Sequence, residues 1–122
     1  MATVPILDIL VLALVLSGTP APMSCEVAAN GGIRCSNGTT ATWDPRTDLV
    51  SVNSIPVTRN ANGHFIFGNG ITSARNSFGW TRFTNGVMIR RDYLGGHPDA
   101  YLVNPALLCQ EVTPAKAECK AR

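Results

Sequence analysis

The sequence is poor in charge, in histidine and in catalytic motifs, and each shortage removes a class of function. Only 15% of its 122 residues are Asp, Glu, Lys or Arg, and the formal net charge is +2, well short of the basic balance of a dedicated nucleic-acid binder. Histidine occurs twice, at His64 and His97, and neither stands in the nucleophile, base and acid pattern of a hydrolase. No catalytic residue is assigned, and a protein that is not an enzyme is expected. Cys-x-x-Cys pairs are missing, and the spacings Cys25 to Cys35 and Cys109 to Cys119 fit neither zinc nor thioredoxin patterns. Glycine-rich phosphate loops are absent as well. No metal and no cofactor are therefore expected.

Long apolar runs are also missing. The longest, Ile6 to Leu16, is about half the ~20 residues that span a bilayer, so no stable membrane span is expected. Small and helix-breaking residues follow it, Ser17 to Pro22, which is the outline of a secretory signal peptide. Residues 1–24 are assigned to that role, although no Lys or Arg precedes Arg34 and Asp8 interrupts the run. A buried N-terminal helix is the rival reading. All four cysteines lie beyond this segment, in keeping with an oxidising compartment. A secreted, periplasmic or cell-envelope location is expected.

What the sequence does have is a repeat. Phe83 opens FTNGVMIRRDYLGG, and 16 residues earlier Phe67 opens FGNGITSARNSFGW. Two further steps back lie SVNSIPVTRNANGH from Ser51 and CSNGTTATWDPRTD from Cys35, so Asn37, Asn53, Asn69 and Asn85 hold one column. Gly31, Gly63, Gly79 and Gly95 hold another, which Thr47 breaks. A third column runs Trp43, Arg59, Arg75, Arg91. Each unit thus has two turn signals separated by short runs rich in Val, Ile, Phe and Thr, the punctuation of β-hairpins. The expectation is an all-β fold, an antiparallel meander of tandem 16-residue hairpins over residues 25–97.

Glycine chemistry sets the register. A three-residue loop ending in a left-handed glycine places its flanking residues opposite one another, so Phe83 should oppose Val87. Applied to every turn, the rule gathers Leu49, Ile55, Val57, Phe65, Phe67, Ile71, Phe83, Val87, Ile89 and the column arginines on one face. Thr58, Thr72, Ala74, Arg82, Thr84 and Arg90 gather on the other, with Trp80, Ile66 and Met88 as apolar exceptions. Applied to Ala29-Asn30-Gly31, the same loop opposes Cys25 to Cys35 and leaves Cys109 to pair with Cys119.

Residues 98–122 lie outside the repeat and read as a disulfide-tied tail. Asn104 followed by Pro105 resembles a helix start, and a short C-terminal helix through Leu107, Leu108 and Val112 is expected to cover part of the apolar face, with a second copy of the chain as the alternative cover. Function should then reside in a surface. The first expectation is a non-catalytic binding or structural module of the envelope or secreted fraction, holding a partner protein or an anionic glycan, with Arg59, Arg75, Arg91, Trp43 and Trp80 as binding residues. The alternative is recognition of an anionic polymer, whether polysaccharide, lipid headgroup or nucleic acid, along a line of arginines about 10 Å apart. Against both stands a bland arrangement, each arginine lying over an aromatic ring or beside an acid.

Overall fold

In a computed structural model, residues 5–59, 61, 64–76, 79–92, 97–104 and 106–121 are described, with backbone only for residues 92 and 97–99. The turn glycines Gly63 and Gly95 lie outside the described residues. Among the described residues one helix, α1 (Ile6–Ser17), precedes twelve strands. These are β1 (Met23–Val27), β2 (Ile33–Cys35), β3 (Thr40–Asp44), β4 (Leu49–Val52), β5 (Ile55–Arg59) and β6 (Phe65–Phe67), then β7 (Ser73–Arg75), β8 (Thr81–Phe83), β9 (Met88–Asp92), β10 (His97–Val103), β11 (Leu107–Thr113) and β12 (Lys116–Ala121). All neighbouring strands run antiparallel.

The meander curls until its ends meet. β1 pairs with both β2 and β12, so the first strand and the last are neighbours. At the other limit of the sheet β6 and β7 are joined by the bridge Ile66↔Thr72 and by the Phe65 N–H donated to Ser73 Oγ at 2.8 Å. The result is a nearly closed twelve-stranded barrel.

The turns explain the register. At Phe83 the Gly86 N–H bonds to the Phe83 carbonyl at 2.9 Å, while the Phe83 N–H reaches the Val87 carbonyl at 2.8 Å. Gly86 stands at φ 95°, a conformation costing an L-residue roughly 1–2 kcal/mol. The same two bonds recur at Ala28/Gly32, Cys35/Thr39, Phe67/Ile71 and Asn76/Trp80. Asparagine completes several of them, since Asn30, Asn37, Asn69 and Asn85 each accept, through Oδ1, the backbone N–H two residues on. Cys25 therefore faces Cys35 across β1 and β2, as expected, and the disulfides are Cys25–Cys35 and Cys109–Cys119.

One strand is turned over relative to expectation. Leu49 is 40% exposed, whereas Val50 and Val52 are buried. Here the loop between β3 and β4 has four residues, closing Asp44 against Leu49, with Asp48 rather than a glycine at positive φ. The next loop has two, Asn53 and Ser54, both at positive φ, closing Val52 against Ile55. One residue gained and one lost leave β5 in its expected phase, while β4 between them is flipped.

The C-terminal helix is also corrected. Residues Leu107–Thr113 form β11, not a helix. Asn104 caps nothing: at φ 45° its N–H goes to the Met88 carbonyl, and its Oδ1 accepts the Met88 N–H. Leu107 and Cys109 point inward, where they are buried, while Leu108 and Gln110 lie on the other face. That period of two is a strand pattern, and β10 to β12 belong to the same sheet as the hairpins.

The apolar face is covered from the N-terminus instead. Ile6, Ile9, Leu10, Ala13 and Val15 are 0% exposed, because α1 is apolar all round and lies inside the barrel. It shares one core with Ile33, Val52, Phe67, Phe83, Val87, Val103 and all four cysteines. Barrels of about eleven strands have room for one axial helix, and this helix fills that space.

Candidate functional site

Antiparallel alternation sends β3, β5, β7 and β9 the same way along the barrel, so their C-terminal ends share one mouth. Trp43, Arg59, Arg75 and Arg91 sit at those ends. Each follows the inward phase of a buried residue two places earlier: Ala41, Val57, Ser73 and Ile89. The repeat column is thus not a line along a flat sheet. Curvature bends it into a partial ring around the mouth, into which α1 points its N-terminal turn.

Each ring residue has a definite surrounding. The Arg59 guanidinium lies 4.6 Å from the Phe65 ring centroid, and that of Arg91 lies 4.5 Å from the ring of Tyr101, its partner across β9 and β10. Both are cation–π distances. Trp43 donates its indole N–H to Asp48 Oδ1 at 2.7 Å. Arg75 is exposed at the rim. Trp80, the fifth expected binding residue, stands apart on the outer face, where the Arg90 guanidinium lies 4.8 Å from its ring. The bland expectation of arginine over aromatic thus holds for Arg59 and Arg91.

Beside Arg91 at this mouth is a residue the sequence reading did not assign to the site. Asp8, the acid within the first turn of α1, accepts the Tyr101 hydroxyl at 2.9 Å and has Arg91 Nη2 at 4.0 Å. Burial first, and then the Asp8 charge, push the Tyr101 hydroxyl up to about 12 despite the opposing pull of Arg91 and Arg59. The phenol therefore stays a donor across the physiological range. A lone acid in an apolar run was the available signal; its partner Tyr101 lies 93 residues away.

Beside Asp8 a cleft of about 350 Å³ opens between α1 and the wall, with Leu12, Val50, Val57 and Phe65 among its apolar sides and Asp8, Asp48, Thr58 and Arg59 among its polar ones. At the opposite end α1 is held by Asn85, whose Nδ2 donates to the Val15 carbonyl at 2.7 Å. Among the described residues no group of His, Cys, Asp and Glu is placed to hold a metal, and no helix is long and apolar enough to cross a membrane. The side chains of His97 and Asp99 lie outside the described residues. The two disulfides point to an oxidising environment. Comparison with protein-family models, curated proteins and solved structures returns no match.

Proposed function

We propose that the chain is an exported, non-catalytic binding module of the secreted fraction or cell envelope, whose arginine-ringed mouth receives an anionic group of its ligand. One observation carries this reading: a carboxylate, that of Asp8, already sits among a phenol donor and a guanidinium at this mouth. Charge-assisted bonds from such donors are the strong ones. Two disulfides support export. Because curvature carries the arginines round an opening, a ligand group entering the ring fits better than a polymer lying along a line. The earlier polymer alternative is accordingly the weaker form of the same chemistry.

The test is titration calorimetry of the full oxidised chain against soluble carboxylates, sulfate esters and heparin at low and high salt. The expected result is binding that weakens with salt and is lost in the R59Q/R75Q/R91Q variant, with its far-ultraviolet circular dichroism unchanged. Unchanged binding in that variant, or substrate turnover in a broad hydrolase screen, would count against the reading.

A further inference from the structure

We propose that the cleft between α1 and the wall binds a zwitterionic α-amino acid with an apolar side chain. Its carboxylate lies on Arg59, its ammonium on Asp48, and its side chain against Leu12, Val50 and Val57. The inference rests on the anionic mouth proposed above and names what enters it. The helix stays in place as one side of the site. The lining residues form two layers because of where they stand in the chain. Asp8 and Leu12 are four residues apart and share one face of α1. Arg59 follows Val57 by two along β5 and keeps its inward phase. Val57 pairs with Val50, and the same ladder continued toward the mouth sets Asp48 level with Arg59. Leu12, Val50 and Val57 are buried, whereas Asp48 and Arg59 are exposed. Each charged residue at the mouth thus has an apolar one a step deeper.

The charges of the upper layer do not all neutralise one another. Asp8 is answered by Tyr101 and Arg91. Asp48 holds the Trp43 indole N–H on Oδ1, and the Arg59 guanidinium lies over the Phe65 ring. Among the described residues, however, Asp48 has no cation and Arg59 no carboxylate at ion-pair distance. Two aromatic contacts therefore hold opposite charges apart above an apolar floor. An amino acid carries its ammonium and carboxylate on a single carbon, so it bridges such a pair while its side chain points down to the leucine and valines. Guanidinium and carboxylate also match as a two-bonded fork. A plain carboxylate on Arg59 would meet the repulsion of Asp48, and a plain amine on Asp48 that of Arg59. The cleft measures about 350 Å³, near the lower end of the roughly 300–1,000 Å³ of small-molecule sites. That volume suits one small molecule rather than a length of polymer.

Three ligands separate the contributions of the two charges. The full oxidised chain is titrated calorimetrically with L-phenylalanine, with 3-phenylpropionate, which lacks the ammonium, and with phenethylamine, which lacks the carboxylate. Phenylalanine should bind about tenfold more tightly than either. Asp48→Asn should abolish its advantage over 3-phenylpropionate without weakening 3-phenylpropionate itself. Asparagine tolerates the φ of 58° at this position, so the loop is kept. Arg59→Gln should weaken phenylalanine and 3-phenylpropionate alike by about tenfold and should not weaken phenethylamine. Equal binding of phenylalanine and 3-phenylpropionate, both weakened in Arg59→Gln, would overturn the zwitterion and leave the anionic mouth standing. Phenylalanine binding that Arg59→Gln leaves intact would overturn the carboxylate contact and count against the anionic mouth as well. Failure of phenylalanine to bind a chain that still binds a sulfate ester would overturn this inference alone.

Discussion

Leu10→Ala measures how much of the protein's stability rests on the helix inside the barrel. Leu10 lies at the middle of α1 and is 0% exposed, as are Ile6 and Ile9 beside it. Removing three carbons from such a site costs the transfer free energy of the lost groups and leaves a cavity, about 2–5 kcal/mol together. The wall around Leu10 is a hydrogen-bonded barrel carrying two disulfides and has little freedom to collapse, so a loss of about 3–4 kcal/mol is expected. That is a large part of the roughly 5–15 kcal/mol that holds a domain of this size. At about 4 °C per kcal/mol the midpoint should fall by about 12–16 °C. The assay is thermal unfolding of oxidised full-length protein by near-ultraviolet circular dichroism, with the 40% exposed Leu49 changed to Ala as a control expected to cost less than about 1 kcal/mol. Equal midpoints for Leu10→Ala and the parent chain would refute the placement of α1 in the core.

Three further outcomes follow from the turns and the mouth. Gly86→Ala meets no atom within 4 Å of the added methyl, so its cost is backbone strain alone at φ 95°, about 1–2 kcal/mol, read from the urea midpoint with an unchanged slope. Ser54→Gly should raise stability by about 0.5–1 kcal/mol, because Ser54 holds φ 66° in a two-residue hairpin that favours Asn-Gly; a loss in the same assay would contradict the loop. Tyr101 ionises at about 12 in the fold against 10.0 when unperturbed. A raised acid favours folding below pH 10, and that contribution is lost as pH rises from 10 to 12. Phenolate absorbance should therefore show a late-titrating tyrosine that is absent in Tyr101→Phe.

Much of this architecture is legible from glycine and asparagine alone. The loop at Thr84-Asn85-Gly86 fixes Phe83 against Val87, and the loop at Ala29-Asn30-Gly31 fixes Cys25 against Cys35, because local turn chemistry decides both. Reading fails where a residue other than glycine takes positive φ. Asp48 and Ser54 do so, and β4 turns over between them. Asn104-Pro105 is a second such place, because its pattern is common to helix starts and turns, and the alternation of Leu107 and Cys109 against Leu108 and Gln110 decides for a strand. The ring is half legible: its arginines form a sequence column, but their convergence depends on sheet curvature and on Asp8, a contact spanning most of the chain. The buried place of α1 is a property of tertiary packing, since an apolar run has the same composition whether it ends in a core or in a leader.

A curled meander encloses the N-terminal helix, which is fastened near both its ends. A nuclear Overhauser spectrum of the oxidised full-length chain tests it most directly, through the Asn85 side-chain amide beside Val15 and the Tyr101 ring beside Asp8. Cross-peaks are expected at both places, with helical shifts for residues 6–17. Random-coil shifts for those residues and neither cross-peak, in a chain whose β1 and β12 still pair, would contradict it.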